Sequence, residues 1–197
     1  MPEAGDRARR LPSGPHGIPP ELVERNQRER LIAAMAEVCG ERGYGETSVA
    51  EVARRAGVST ASFYRQFKDR RECLLASFEE LFGRLLAAIE RACAAAESPA
   101  EKASAAAGAT ADLLAGDAPT ARLLTVEILA VGADGVQAQH RAIERLATLL
   151  RPPGEASDPP LDITWARVAA MVSLAGLRAA EGKSPSAEEL QRIGAPP

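Results

Sequence analysis

A chain of 197 residues that is 46% apolar is long enough to bury the core of one large or two small domains, and its aromatic share of only 4% favours helices over sheets. Its apolar runs are too short to cross a bilayer and its N-terminus lacks the apolar stretch of a signal peptide, so an all-α, cytoplasmic chain with no membrane partner is expected. The net charge of −3 is unevenly divided: residues 1–71 carry 13 Lys and Arg against 10 Asp and Glu, whereas residues 72–197 carry 11 against 17, the balance of a polyanion-binding part joined to an acidic one.

Residues 1–19 hold four prolines and three glycines and read as a flexible arm, in which Arg7, Arg9 and Arg10 either reach a minor groove or remain solvated. A helix is predicted from Pro20 to Gly43, with Leu22, Leu31, Met35, Val38 and Cys39 sharing a face. Ser48 and Glu51 form an S-x-x-E capping box that opens a short helix through Ala56, and Gly57 ends it. Ser59 caps a third helix through Phe67. Asp69 and Glu72 then start a long amphipathic helix carrying Leu74, Leu75, Phe78, Leu81, Phe82, Leu85 and Ile89, which ends near Ser98-Pro99. Further helical patterns cover residues 100–115, 118–131, 135–150 and 161–181, and a short last one runs from Pro185 to Ile193. The expected organisation is an arm (1–19), a short three-helix unit (20–68) and a longer helical unit (69–197).

Residues 47–67, TSVAEVARRAGVSTASFYRQF, meet the requirements of a helix-turn-helix: a short support helix, a tight turn, and a second helix that presents its N-terminal side chains to base edges. Val49, Val52, Ala53 and Ala56 face inward, Gly57 turns the chain, and Phe63 and Phe67 seat the second helix. Thr60, Ser62, Tyr64, Arg65 and Lys68 are left facing outward.

From Arg28 to Leu75 the chain resembles the TetR family of bacterial transcription regulators, through Gly43-Tyr44, Thr47 to Val49, Ala56 to Ser59 and Phe63 to Phe67 at the family's spacing. The resemblance implies phosphate contacts from Thr47 or Ser48 and from Tyr64, with Thr60, Ala61, Ser62 and Arg65 nearest the bases and Ser59 and Lys68 also among the DNA-binding residues. Arg65 either reads a guanine or contacts another phosphate, and Tyr64 is alternatively a core aromatic. Arg70 stands where the family usually has lysine, with the phosphate contact expected to survive. Met35 stands where alanine is usual and Cys39 where phenylalanine is, four apart on one face, so the larger residue is expected to fill the space the smaller leaves. Ala61 replaces a common glycine.

The resemblance further implies a homodimer on a palindromic double-stranded DNA operator, a small-molecule effector, and repression released when the effector respaces the recognition helices through the fourth helix. Trp165, Val168, Val172, Ala175 and Gly176 are the expected dimer-interface residues, although the final helix is short for the family. The effector pocket is expected between the fourth helix and residues 105–150, with Glu127, Trp165 and Arg178 as candidate polar contacts; Glu127 alternatively reaches a helix rim and Arg178 an interfacial ion pair. No cofactor or metal set is expected. His16 and His140, 124 positions apart, and scattered acids offer no catalytic spacing, so the chain is not read as an enzyme. Two alternatives stay open, control by a protein partner and thiol sensing by Cys73 or Cys93; the three cysteines, Cys39 included, lack a C-x-x-C pair and are expected to be free.

Overall fold

The computed structural model describes residues 19–114, 117–152, 154 and 163–194, which are helical with no strand among them. The arginine arm and most of the loop that starts at Pro152 lie outside the described residues.

Helix α1 (Pro20–Arg42) starts on a proline in its first turn and ends at Gly43, whose φ of 85° suits a residue without Cβ. It buries Leu31, Met35, Val38 and Cys39, all four fully enclosed. Leu22 departs from the expected face: its turn overhangs the core and leaves it 41% exposed. Helix α2 (Val49–Ala56) is capped by Ser48 and closed by the left-handed Gly57, and α3 (Thr60–Gln66) is capped by Ser59. Helix α4 (Arg70–Cys93) begins with a reciprocal box, in which Asp69 accepts from Glu72 N at 2.9 Å and the Glu72 carboxylate accepts from Lys68 N at 2.7 Å.

Helix α4 stops earlier than expected because Ser98 and Glu101 make a second reciprocal box that starts α5 (Pro99–Leu114). The predicted helix over 118–131 is divided. Helix α6 (Ala118–Thr125) ends at Val126, and a 3-10 turn (Glu127–Val131) follows, so Glu127 leaves the α6 register; Gln139 Nε2 donates at 3.1 Å to the Thr125 carbonyl that the break frees. Helices α7 (Ala133–Leu150), α8 (Ile163–Ala180) and α9 (Ala187–Gly194) complete the fold.

One apolar core runs from Leu31 in α1 to Ala179 in α8. The first turns of α4 pack on α1, where Ser77 Oγ donates to Ile32 O at 3.1 Å, and its later turns face α5 and α7. Helix α6 also touches α1, at the one glycine of α1 that allows it: a Cβ on Gly40 would lie 2.5 Å from Pro119 backbone atoms. A smaller cluster of Ala107, Ala111 and Leu190 seats α9 on α5.

Gly40→Ala should therefore force α1 from α6 and cost about 1–3 kcal/mol. Gly108→Ala, in the open interior of α5, should be neutral or stabilise by roughly 0.4–1 kcal/mol. Urea unfolding of the two variants gives the contrast.

Candidate nucleic-acid interface and effector cavity

The outward row of α3 is narrower than its sequence suggests. Thr60, Ala61, Tyr64, Arg65 and Lys68 are exposed, together with the capping residues Ser48 and Ser59. Tyr64 is 59% exposed and only touches the edge of Phe63, with ring centroids 5.5 Å apart, so its hydroxyl is free to meet a partner and it is not a core aromatic. Ser62, expected outward, is buried: its N–H donates to Ser59 Oγ at 3.0 Å and its Oγ accepts from Arg65 Nη2 at 2.8 Å. It aims Arg65 along the helix surface instead of presenting a hydroxyl of its own. Thr47 is likewise turned in, donating to Gly43 O at 2.8 Å, which leaves Ser48 as the hydroxyl at the α2 start.

Arg70 is half-buried and stacked 4.4 Å over the Tyr44 ring, and its Nη1 donates to Thr47 O at 2.7 Å and Tyr44 O at 3.1 Å. Its guanidinium is committed to the loop that leads into α2, so its first role is to hold that loop. Two arginines of α1 that the sequence reading passed over do similar work: Arg28 donates to Gln66 O at 3.2 Å while lying 4.4 Å over the Phe67 ring, and Arg30 donates to Ala56 O. Each places positive charge at the carbonyl end of a helix of the motif, where the dipole favours it. Their signal was the RER run itself, which periodicity reads as a solvated face.

Behind the motif, Glu127 is 7% exposed and reaches α1. Its Oε2 accepts from Tyr44 N and its Oε1 from Arg122 Nε, both at 2.7 Å. It is neither a free pocket ligand nor a rim residue, because both oxygens are already used.

A cavity of about 70 Å³ lies between α4, α5, α6, α7 and α8, with Leu190 of α9 also in its lining, so it extends beyond the expected region between α4 and residues 105–150. Phe78 and Phe82 line it, so the wall is not purely aliphatic. Its three polar side chains each donate within the fold: Thr110 to Ala106 O at 2.8 Å, Thr125 to Ala121 O at 2.7 Å, and Gln139 Nε2 to Thr125 O at 3.1 Å. Glu127, Trp165 and Arg178 are not among its lining residues. Trp165 packs beside His140, 5.7 Å between rings, and Arg178 ties α8 to α9 through Glu189 and also pairs with Glu181 at 3.1 Å.

Helix α8 differs from its predicted interface. Val168, Ala175 and Gly176 are buried in their own chain, where Gly176 admits Thr125 of α6 (a Cβ would lie 3.3 Å from Thr125 Cβ), and the half-buried Val172 lines the cavity. The outward face carries Ile163 (63% exposed), Ala166, Ala170, Ser173 and Leu177 (58% exposed), at the spacing of one helical stripe. Exposed Val126 lies beside it, next to Gly176.

The pattern of the family described as "Bacterial regulatory proteins, tetR family" matches residues 31–77, from mid-α1 through the first turns of α4. That segment therefore carries the tetR-family pattern. The fatty acid metabolism regulator protein of Bacillus subtilis (strain 168) is 29% identical over 99 residues, covering 50% of this chain and 51% of that one, so the chain spans about half the length of the curated relative it matches. Two solved structures share the fold: the fatty acid degradation regulator FadR of Bacillus halodurans (TM-score 0.68, 19% identity, 93% of this chain and 95% of that one) and FadR of B. subtilis in complex with stearoyl-CoA (TM-score 0.68, 19% identity, 84% and 95%). At such identities the likeness is one of fold. No helix of the described residues is long and apolar enough to cross a membrane.

All three cysteines of the chain are free and buried. Burial pushes the Cys39 and Cys73 thiols up to about 12, Cys39 with added repulsion from Glu127, and raises Cys93 as well. A raised thiol is protonated and unreactive at neutral pH, which disfavours thiol sensing. At pH 8, iodoacetamide followed by mass spectrometry should label the folded chain far more slowly than the urea-unfolded chain, which should take up three equivalents.

Proposed function

We propose that this chain is an effector-responsive transcription regulator, a repressor that binds a palindromic double-stranded DNA operator as a homodimer in the cytoplasm, with residues 20–68 as DNA-binding unit and 69–197 as regulatory unit. The observation that carries the reading is the family pattern over residues 31–77 together with the exposed row Thr60, Ala61, Tyr64 and Arg65 on a capped helix. Arg65 is the base reader, because Ser62 holds its guanidinium in place and a pre-aimed arginine matches the two acceptors of guanine. Tyr64, Ser48 and Lys68 supply phosphate contacts. Site selection with the purified chain should return an inverted repeat, and Arg65→Ala should lose about 1–3 kcal/mol of preference at one base pair per half-site. A uniform loss across sequences would make Arg65 a phosphate contact instead.

A seven-residue recognition helix reads few bases, which favours a two-fold dimer. The outward stripe of α8 with Val126 is the surface for the second copy, since α9 spends its apolar side on α5. Leu177→Glu should yield monomers by analytical ultracentrifugation and abolish tight operator binding.

The effector is apolar over most of its length, because the cavity is lined by apolar side chains apart from Thr110, Thr125 and Gln139, each of which already donates within the fold. The stearoyl-CoA complex of a protein with the same fold supports an alkyl chain as that part. A long chain exceeds the cavity of about 70 Å³, so its entry must part the surrounding helices. Leu124 and Thr125 line the cavity and Glu127 follows two residues later, holding Tyr44 N, so the displacement reaches the loop ahead of α2 directly. Helix α4 is thus joined by α6 as a carrier of the movement. Such coupling is typically about 1–3 kcal/mol. Glu127→Gln should cost about 1–3 kcal/mol in urea unfolding and shrink the ratio of operator affinities without and with a saturating alkyl effector. An unchanged ratio would remove Glu127 from the coupling path.

A further inference from the structure

We propose that the effector is an anionic amphiphile whose charged head group sits on Arg167, in a second cavity that opens beside the apolar one. This rests on the reading of the apolar cavity as the effector site and adds the chemistry of the other end of the ligand. The second cavity, of about 30 Å³, lies where the start of α5 (Pro99, Ala103), the end of α7 (Leu150, Pro152) and the start of α8 (Thr164, Arg167) meet. Leu150, Val168 and Met171 line both cavities, so the two are neighbours across a shared wall. Met171 is the yielding part of that wall: an unbranched thioether with several rotatable bonds can swing aside where Val168 cannot.

Arg167 is half-buried, and among the described residues it forms no hydrogen bond and no ion pair. Other arginines of this half of the molecule are matched: Arg122 with Glu127, Arg141 with Glu79, and Arg178 with Glu181 and Glu189. No carboxylate is among the described residues that line the second cavity. A guanidinium withdrawn from water without a counter-charge is costly, and its planar fork fits a carboxylate or a phosphate. The arrangement is therefore complete only when a ligand brings the anion. An alkyl chain passing Met171 fills the space lined by Phe78, Phe82 and Leu146 while its head remains at the mouth, so chain and head are recognised by separate parts of one continuous site.

Calorimetric titration of the full chain with dodecanoate, dodecyl phosphate and dodecanol tests this, each probe kept below the concentration at which it aggregates. Wild type should bind at least one anion about tenfold or more tighter than dodecanol, as expected for a charge-assisted pair. Arg167→Gln should remove that preference with dodecanol affinity unchanged, and Arg167→Lys should retain part of it. The tighter of the two anions identifies the head as carboxylate or phosphate. Equal binding of dodecanol and both anions by wild type, or an anion preference that survives Arg167→Gln, overturns the assignment to Arg167 and leaves the apolar effector site standing. Failure of all three probes to bind wild type overturns both. Unchanged thermal melting of the variants shows that any loss is not unfolding.

Discussion

The carboxylate of Glu127 holds the two ends of this molecule in one geometry. It sits at the break between α6 and the 3-10 turn, nearly out of water, with one oxygen on Arg122 and the other on the Tyr44 amide. A buried anion is tolerated only when its acceptor sites are filled, so the loop at Gly43-Tyr44 and the end of α6 cannot move independently without exposing an uncompensated charge. Around it the close contacts accumulate: Gly40 admits Pro119, Arg70 stacks on Tyr44, and a side chain on Gly43 would meet Arg122 at 3.3 Å. The loop that positions α2 is thereby gripped from below by Arg70 and from behind by Glu127.

That grip explains why several polar residues of the motif do not face outward. Thr47, Ser62, Arg28, Arg30 and Arg70 satisfy main-chain carbonyls or other side chains inside the three-helix unit. A small unit with three phenylalanine and leucine anchors has little apolar area to fix its helix ends, and capping hydrogen bonds supply the missing precision. The side chains left over, Tyr64 and Arg65 foremost, then project from a framework whose orientation is already set.

The features most legible in the sequence were those carried by local chemistry. Ser48, Ser59 and Asp69 cap the helices they were expected to cap, and Gly57 closes α2 in the left-handed conformation. The cavity overlaps the predicted region and extends past it to α8 and α9. What could not be read were side-chain directions decided by tertiary partners. The motif pattern gave Ser62 an outward face and the resemblance offered Thr47 or Ser48 as a phosphate contact, yet Ser62 and Thr47 each find an acceptor or donor within reach and turn in. Periodicity also ran α6 straight through Val126, and no local signal announced that Glu127 would leave the register to meet an amide 83 positions earlier. For α8 the apolar residues surround the helix, so sequence alone did not separate Val168, Ala175 and Gly176, which face their own chain, from Ile163, Ala170 and Leu177, which do not.

The short final helix is the point where these constraints meet. With eight residues and Leu190 buried against α5, α9 has little remaining apolar surface, and Leu190 contributes to the lining of the cavity. Its attachment is polar at the rim, where Arg178 joins Glu189 and Ser184 donates to Leu114 O at 2.5 Å. The pairing at Glu189, whose carboxyl is held down to about 2 by the Ser186 backbone and Arg178, persists throughout the neutral range. The part of the cavity lined by Leu190 is thus tied through α9 to α5 and α8. In the proposed effector response the path to the DNA-binding unit runs through Leu124 and Thr125 of α6, because the carboxylate two residues on holds the Tyr44 amide and would lose a buried partner if the two segments parted.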